Sequence, residues 1–294
     1  MTIPSVQHFF DPITFTLTYV VSDDLTKDAV VIDPVLDFDP PSGEVEDNSI
    51  KLVLNYLKEK NLKVLGILET HAHADHLSSS QLLKQHFPNA KLGIGERIKI
   101  VQEVFKQHFN LEYLKADASQ FDILFKDYAE VNFGSLKMKA IPTPGHTPAC
   151  ISYQFKDMVF TGDALFMPDS GTGRCDFPKG SARDLYHSVS KNLYTLPDET
   201  KVYVGHDYGP NGREILYKTT IGESKKNNIQ IKFNTTEHEY ITFREARDKT
   251  LKAPKLLLPS IQVNIDGGKL PPRENNGISY LKLPLNPKLN LGKL

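Results

Sequence analysis

The chain has 294 residues, with 35 basic and 36 acidic side chains and a formal net charge of −1. This length is enough to bury a substantial core in one large domain, or in one domain with an extension. The balanced charge favours neither nucleic acid nor an anionic membrane as a partner. The two cysteines, the lack of a signal-peptide pattern and the lack of an apolar stretch of about 18 residues predict a soluble, cytoplasmic protein.

The first elements predicted along the chain are strands and one amphipathic helix. Residues 13–21 and 29–32 have the apolar, β-branched composition of strands. Apolar side chains recur at helical spacing over residues 50–57 and predict a helix. The apolar run 64–68 then predicts a buried strand, so the chain begins as an α/β domain.

The segment after that strand, THAHADHL, contains four candidate metal ligands, His71, His73, Asp75 and His76. A strand that ends in such a loop would aim His71 and His73 to one side and bring the other two around from the turn. Imidazole and carboxylate together suit zinc, iron or manganese. We therefore predict a metal site here; the alternative is a solvated polar loop that is rich in histidine.

The next predicted elements are a helix over residues 77–87, stopped by Pro88, and a strand over residues 91–94. Between residues 121 and 160 the chain changes character, because short strand-like runs follow one another at near-regular spacing. That pattern predicts an antiparallel second half.

Three further ligand candidates, His146, Asp163 and His206, each follow a glycine at the end of a strand-like run. A glycine at such a point lets the backbone turn or approach closely. A rigidly held ion needs ligands from several elements. We therefore expect these three side chains to join the HAHADH segment in one site.

Beyond residue 210 the ligand pattern ends. We expect residues 1–210 to form the domain that carries the site and residues 211–294 to form an extension packed on that domain. The capping-box pattern TFRE, residues 242–245, predicts a short helix over residues 243–251. The prolines and the Gly-Gly pair that follow predict an extended, wrapping segment and argue against a helical bundle.

HxHxDH followed by Gly-His, Gly-Asp and Gly-His, from about residue 13 to residue 208, resembles the metallo-β-lactamase superfamily. The resemblance implies an α/β fold, the αββα sandwich, with a metal-dependent catalytic site in a cleft at one edge of two sheets. The segments GTGRCDF (171–177), LYHS (185–188) and HDY (206–208) are similar to the persulfide dioxygenase branch. That branch is related to the glyoxalase II thiolester hydrolases, and the bacterial β-lactamase-like hydrolase proteins belong near it.

The seven ligand candidates allow two arrangements with different chemistry. In a dinuclear hydrolase, two zinc ions or a mixed zinc–iron pair would activate a hydroxide for attack on a thiolester or lactone. The ligands would then be His71, His73 and His146 for one ion, Asp75, His76 and His206 for the other, and Asp163 as the bridge. In a dioxygenase, one Fe(II) per chain would bind only His71, His146 and Asp163, and the remaining four side chains would orient these ligands. Residue types alone do not separate the two arrangements.

The resemblance favours the dioxygenase, because the persulfide dioxygenase branch retains the full ligand set while binding one iron. It implies that dioxygen and a thiol persulfide of the glutathione type are the substrates and that sulfite and the thiol are the products. Arg174 would pair with a substrate carboxylate, or else form a salt bridge within its own loop. Tyr208 would donate a hydrogen bond at the metal site, or else simply pack. Similarity also implies a homodimer.

A third hypothesis is a partner-binding protein in which the metal site is structural and the C-terminal extension makes the contacts. We expect Cys150 to be a small buried residue. Cys175, beside Arg174, could be a reactive thiol, but we expect a structural one. Five other histidines lack a partner pattern and are expected to be structural: His8, His86, His108, His187 and His238.

Overall fold

Two β-sheets packed face to face and flanked by helices make up the structure, a computed structural model that describes residues 4–285. The elements of the first half are β1 (Ser5–Phe10), β2 (Leu17–Ser22), β3 (Asp28–Ile32), β4 (Val35–Asp39), β5 (Glu44–Glu46), α1 (Asn48–Glu59), β6 (Lys63–Leu68), β7 (Leu77–Ser78), α2 (Ser80–His86), β8 (Lys91–Gly95) and α3 (Ile98–Phe109). Those of the second half are β9 (Ile123–Phe125), β10 (Glu130–Phe133), β11 (Leu136–Pro142), β12 (Ile151–Phe155), β13 (Met158–Phe160), α4 (Ala182–His187), β14 (Lys201–Tyr203), β15 (Lys218–Thr220), α5 (Ile221–Asn227), α6 (Glu237–Asp248) and α7 (Leu257–Asn264). A π-helical turn, Ser188–Leu193, continues α4.

The first sheet has the order β1-β2-β3-β6-β8-β9, and its strands from β3 to β9 run parallel. The second sheet has the order β10-β11-β12-β13-β14-β15 and is antiparallel except for the β13–β14 pair. A small third sheet has the order β5-β4-β7. The expected αββα sandwich is confirmed. In the region predicted to be antiparallel, β9 instead pairs in parallel with β8 and belongs to the first sheet.

Both faces of β3, a central strand of the first sheet, are buried. On β3, Val30 and Ile32 belong to the core between the two sheets. Ala29 and Val31 point the opposite way, into a second core that includes side chains of α1, α3 and α7. The parallel strands therefore form a rigid layer whose carboxyl ends carry the predicted ligand loop.

The helix predicted over residues 77–87 begins later than expected. Leu77 and Ser78 form the short strand β7, in which Leu77 pairs with Leu36, and the helix begins at Ser80. Leu77 is fully buried in this pairing. An isolated apolar residue after a loop fits a strand as well as a helix, so the sequence pattern could not distinguish them.

The C-terminal elements also differ from the prediction. The helix expected over residues 243–251 is α6, and its capping box is formed by Thr236 and Glu239, six residues before the predicted one. Residues 257–264, expected to be extended, form α7. This helix tolerates Pro259 because the first turn of a helix needs no backbone N–H donor.

The segment after residue 210 contacts the rest of the chain at several places. α6 packs on α4, and α7 packs on β7 and α3. Among residues 4–285, no helix has both the length and the hydropathy needed to cross a bilayer.

Candidate metal centre

The histidine loop, residues 70–76, follows β6 at the carboxyl end of the parallel strands. His71, His73 and His76 are each no more than 2% exposed. The ring centroids of His71 and His73 lie 4.1 Å apart, and those of His73 and His76 lie 4.2 Å apart. Burial and the neighbouring imidazoles hold the pKa of His71 well below its usual value, so this ring is neutral and able to bind a metal.

The three side chains predicted to bind iron come together. The ligand atoms of His71, His146 and Asp163 all lie within 4.8 Å of one another, and His146 Nε2 is 3.5 Å from Asp163 Oδ2. His146 Nδ1 donates a hydrogen bond of 2.6 Å to the backbone oxygen of Arg174. This bond leaves Nε2 as the nitrogen available to a metal.

A second group lies beside the first. His73, Asp75 and His76 also have ligand atoms within 4.8 Å of one another. His206 Nε2 lies 3.4 Å from Asp75 and 3.4 Å from Asp163 Oδ1. Burial opposes the charge on Asp75, but His206 and His76 outweigh burial and hold the pKa of this carboxyl well below its usual range.

Several buried polar atoms in these two groups have no hydrogen-bond partner. Four of them are His71 Nε2, His73 Nδ1, His76 Nε2 and Asp163 Oδ1, and the fifth, His73 Nε2, has only the ion-pair contacts described below. Buried polar atoms are almost always paired, so four unpaired atoms in one place fit a bound cation. Nitrogen and oxygen donors of this kind suit zinc or iron. The donor set therefore fits a metal centre, and it accommodates either one ion or two.

Two carboxylates that the sequence analysis missed hold the second histidine of the loop. His73 Nε2 lies 3.0 Å from Asp33 and 3.5 Å from Glu69. Burial opposes the charge on His73, but Asp33 outweighs burial and raises its pKa well above the usual value. The position of Asp33 therefore favours a proton on Nε2, and a metal at Nδ1 would displace the other ring proton. Asp33 and Glu69 directly follow the neighbouring parallel strands β3 and β6. Their positions in the sequence could therefore have predicted that both carboxylates lie at the carboxyl edge of the sheet, near the histidine loop.

The glycine-rich loop, residues 171–177, is held by an ion pair on α6 that the sequence analysis also missed. Arg244 and Asp248 are 2% and 6% exposed, and their side chains are 2.6 Å apart. Asp248 accepts a hydrogen bond of 2.8 Å from the backbone N–H of Cys175. Arg244 donates to the backbone oxygen of Thr172 at 3.3 Å. No local motif marks this pair, because its partners lie about 70 residues earlier in the chain.

Arg174 is engaged within its own loop. Its guanidinium forms two hydrogen bonds of 2.6 Å to the carboxylate of Asp176 and one of 2.7 Å to the backbone oxygen of Lys252. This is the salt bridge considered as the alternative role for Arg174. The predicted contact with a substrate carboxylate would require exchange with Asp176, and it stays a prediction.

Tyr208 lies at the edge of the site. Its ring stacks on that of His206, with centroids 5.8 Å apart and planes inclined by 10°. Although 53% of the residue is exposed, desolvation of the hydroxyl and the charges of Asp163 and Asp75 raise its pKa. The hydroxyl therefore keeps its proton at neutral pH and can donate a hydrogen bond, although its catalytic role stays a prediction.

Other side chains occupy structural positions. His8 stacks on Tyr217 at 3.7 Å, and His187 Nε2 lies 2.9 Å from Glu237. Both thiols are buried, and burial raises the pKa of Cys150 to about 12 and that of Cys175 well above its usual value. Neither has the lowered pKa of a reactive cysteine.

Comparison with known proteins agrees with this geometry. Residues 12–206 match the sequence profile of the Metallo-beta-lactamase superfamily. Over 269 residues the chain is 52% identical to Glyoxylase B2 of Dictyostelium discoideum, covering 91% of this chain and 92% of that protein. Over 205 residues it is 33% identical to the mitochondrial persulfide dioxygenase ETHE1 of Homo sapiens, covering 69% of this chain and 68% of that protein. The crystal structure of ETHE1 from Myxococcus xanthus superposes with a TM-score of 0.73 at 33% identity, covering 90% of this chain and all of that one. The chain therefore belongs to the metallo-β-lactamase superfamily of metal-dependent enzymes.

Proposed function

We propose that this protein is a mononuclear non-haem iron persulfide dioxygenase acting on a low-molecular-weight thiol persulfide of the glutathione type. The observation that carries the proposal is the convergence of His71, His146 and Asp163, whose ligand atoms lie within 4.8 Å of one another. Two imidazoles and one carboxylate are the ligand set typical of non-haem Fe(II) oxygenases. The similarity to the persulfide dioxygenase of Homo sapiens supports the assignment.

In the proposed reaction, the persulfide, dioxygen and water give the thiol, sulfite and two protons. The outer sulfur loses four electrons and dioxygen gains them. A bound Fe(II) would supply the redox chemistry that brings these two substrates together. The sulfur–sulfur bond breaks, and the inner sulfur leaves as the thiol.

The residues of the chain contribute orientation and exclusion of water. Thr70 Oγ1 lies 3.0 Å from His71 Nδ1, and the backbone oxygen of Arg174 accepts from His146 Nδ1, so each ring keeps Nε2 towards the centre. Both imidazoles are at least 95% buried, which keeps bulk water from these faces. Tyr208 holds its proton on the phenol oxygen and would donate it as a hydrogen bond to the substrate.

A cavity lined in part by Phe177, a neighbour of His146, supports the proposed role of Arg174. It has a volume of about 180 Å³, and its lining includes Arg174, Asp176 and Phe177. The ring of Phe177 packs edge-on against that of His146, with centroids 5.0 Å apart. A substrate carboxylate that replaced Asp176 on the guanidinium fork would therefore lie one side chain away from a metal ligand.

One observation favours the second candidate, a dinuclear hydrolase acting on a thiolester or lactone. The two oxygens of Asp163 face different histidines, with Oδ2 at 3.5 Å from His146 and Oδ1 at 3.4 Å from His206. A carboxylate in this position suits a bridge between two ions. Two zinc ions, or a mixed zinc–iron pair, would then occupy the site.

To test the proposal, the protein is loaded anaerobically with Fe(II). Its metal content is then measured, together with its oxygen uptake in the presence of glutathione persulfide. We expect about one iron per chain and uptake that yields sulfite. About two ions per chain, together with hydrolysis of a glutathione thiolester and no oxygen uptake, would overturn the dioxygenase. If the site is purely structural, neither reaction is seen, and His146→Ala unfolds the protein without removing any turnover.

A pair of variants sharpens the choice. Asp75→Asn removes a ligand that only the dinuclear arrangement needs, whereas His146→Ala removes one that both arrangements need. We expect Asp75→Asn to keep the iron content and most of the oxygen uptake, and His146→Ala to lose both. Loss of activity in both variants, with equal loss of metal, favours the hydrolase. Thermal unfolding of each variant controls for misfolding.

Three further features stay proposals. They are a homodimer, a cytoplasmic location, and a division of the chain into residues 1–210 and 211–294. Light scattering on the purified protein tests the first of these. Expression of residues 1–210 alone, assayed by thermal unfolding, tests whether the extension is needed for folding.

A further inference from the structure

Asn264, the last residue of α7, reaches the metal-binding segment from the C-terminal part of the chain. It lies outside residues 12–206, which match the superfamily profile, and is 5% exposed. Its Nδ2 donates hydrogen bonds of 2.8 Å to the backbone oxygen of His73 and of 2.7 Å to that of His76. Its Oδ1 accepts one of 2.8 Å from the backbone N–H of Ser78. These bonds bracket Asp75.

The residue type matters for these contacts. An asparagine amide offers two donors and an acceptor within one short side chain. The segment between β6 and β7 turns sharply, so its backbone groups cannot all be paired within a sheet and need partners from elsewhere. Aspartate at position 264 would keep the acceptor for Ser78, but its second oxygen would face the carbonyls of His73 and His76.

The backbone that carries Asn264 is itself fixed by neighbouring contacts. Gln102 donates a hydrogen bond of 2.7 Å to the oxygen of Ile265, and Gln81 donates one of 2.8 Å to the oxygen of Gly267. Gly268 has a φ of +81°, and a Cβ there would lie 3.1 Å from the oxygen of Ser78. The turn after α7 therefore lies closely against β7, which gives Asn264 a rigid base.

We propose that Asn264 is a positioning residue for the metal centre. By holding the backbone on both sides of Asp75, it sets the directions in which His73, Asp75 and His76 present their ligand atoms. The inference rests on the presence of a metal at this site and not on the oxidation chemistry. His73, Asp75 and His76 would bind the second ion of a dinuclear centre, and they would orient the ligands of a one-iron centre. Outer contacts of this kind typically contribute 10- to 100-fold in metal affinity.

The test compares Asn264→Asp and Asn264→Ala with a matched control, Gln262→Ala. Gln262 lies on the same helix and is 1% exposed, but among residues 4–285 its amide forms hydrogen bonds only with Leu258 and Lys282. Two quantities are measured: the affinity for Co(II) and Zn(II) by competition with a chromophoric chelator, and hydrogen exchange of the amides of residues 71–78 in the metal-free protein. The visible spectrum of the Co(II) form reports the ligand geometry.

We expect both Asn264 variants to bind Zn(II) about 10- to 100-fold more weakly, to exchange these amides faster and to change the Co(II) spectrum. The control should keep the affinity, exchange and spectrum of the parent protein, even if its unfolding temperature falls. Unchanged affinity in Asn264→Ala, or an equal loss in Gln262→Ala, overturns the proposal. Should Asn264→Asp not fold, Asn264→Ala, which introduces no new charge, decides the outcome.

No persulfide is used in these measurements, so failure of this inference and failure of the dioxygenase assignment are distinguishable. A protein that oxidises persulfides but shows no dependence of metal affinity on Asn264 would keep the proposed function and lose the positioning role. A protein whose metal affinity depends on Asn264 but which does not oxidise persulfides would keep the positioning role and lose the proposed function.

Discussion

The histidine loop and the glycine-rich loop flank the same centre but are fixed by different kinds of contact. The carboxylates of Asp33 and Glu69, at the ends of neighbouring strands, and the neutral amide of Asn264 hold the histidine loop. A buried ion pair on a distant helix, Arg244 with Asp248, holds the glycine-rich loop. In the first set, the two carboxylates contact the ring of His73, a candidate ligand, and Asn264 contacts backbone oxygens beside it. The second set contacts backbone groups of the glycine-rich loop. Substitutions in the two sets should therefore have separable effects. Those at the histidine loop should lower metal affinity, and those at the ion pair should lower the free energy of unfolding.

The largest expected effect is on stability. Arg244→Met leaves Asp248 buried without its cation, and losing one partner of a buried pair typically costs about 3–5 kcal/mol. Urea unfolding measures the loss in the free energy of unfolding. The double variant Arg244→Met/Asp248→Leu should recover much of it, because no charge is then left unpaired. A double variant as unstable as the sum of the two single ones contradicts this account.

The next effect is on metal affinity. Asp33→Asn weakens the hold on His73 Nε2, so we expect Zn(II) affinity to fall about 10- to 100-fold. Glu69→Gln should cost less, because Glu69 lies 3.5 Å from this nitrogen and Asp33 lies 3.0 Å from it. Chelator competition measures both variants. A larger loss in Glu69→Gln would reverse the assigned order of the two carboxylates.

A smaller effect tests whether the two loops are independent, through the helix α6 that holds the glycine-rich loop. Thr236→Ala removes the capping box that begins α6, the helix carrying Arg244. Loss of such a cap costs about 1 kcal/mol. The expected result is a lower free energy of unfolding in urea with unchanged Zn(II) affinity. Glu239→Gln is the milder control, since it keeps a side chain able to accept from the backbone of Thr236. Weakened metal binding in Thr236→Ala would show that the two loops are coupled.

The smallest effect depends on pH. Burial raises the pKa of Asp266, in the turn after α7, to about 6. The unfolded value of this pKa is about 3.8, so between about pH 4 and about pH 6 the folded protein binds more protons than the unfolded protein does. The free energy of unfolding therefore falls as pH rises from about 4 to about 6. Asp266→Asn should remove this dependence and add about 0.5–1 kcal/mol at pH 7, allowing for the partial exposure of the group. At pH 3.5 the variant and the parent should be equally stable in urea; a difference there argues against titration as the cause.

The convergence of the candidate ligands could be predicted from sequence because their signals are local. A buried strand, then His71 and His73 two residues apart, fixes both the place and the side on which the rings lie. Glycines next to His146, Asp163 and His206 repeat the same strand-to-ligand turn. The burial of most of β6 followed in the same way from its apolar run.

The supporting residues could not be found in that way. Asn264 lies 188 positions from His76, and no periodicity or spacing links the two. Arg244 belongs to the helix predicted over residues 243–251, and its local sequence gives no sign of burial. Its side chain is nevertheless among the largest that are fully buried. The predicted start of α2 was wrong for a different reason, because Leu77 suits a strand and a helix equally. Long-range contacts of this kind are set by tertiary packing and have no local signature.

The inertness of the two thiols has a consequence for the proposed persulfide chemistry. Cys150 and Cys175 are both buried, and the pKa of each is raised by burial, so neither is a thiolate at neutral pH. Only the thiolate attacks electrophiles efficiently. The folded protein should therefore resist alkylation by iodoacetamide and, if the proposed function holds, accumulate no persulfide on its own cysteines during turnover. In the proposed reaction the outer sulfur would leave as sulfite and the inner sulfur as the small thiol, with none transferred to the polypeptide.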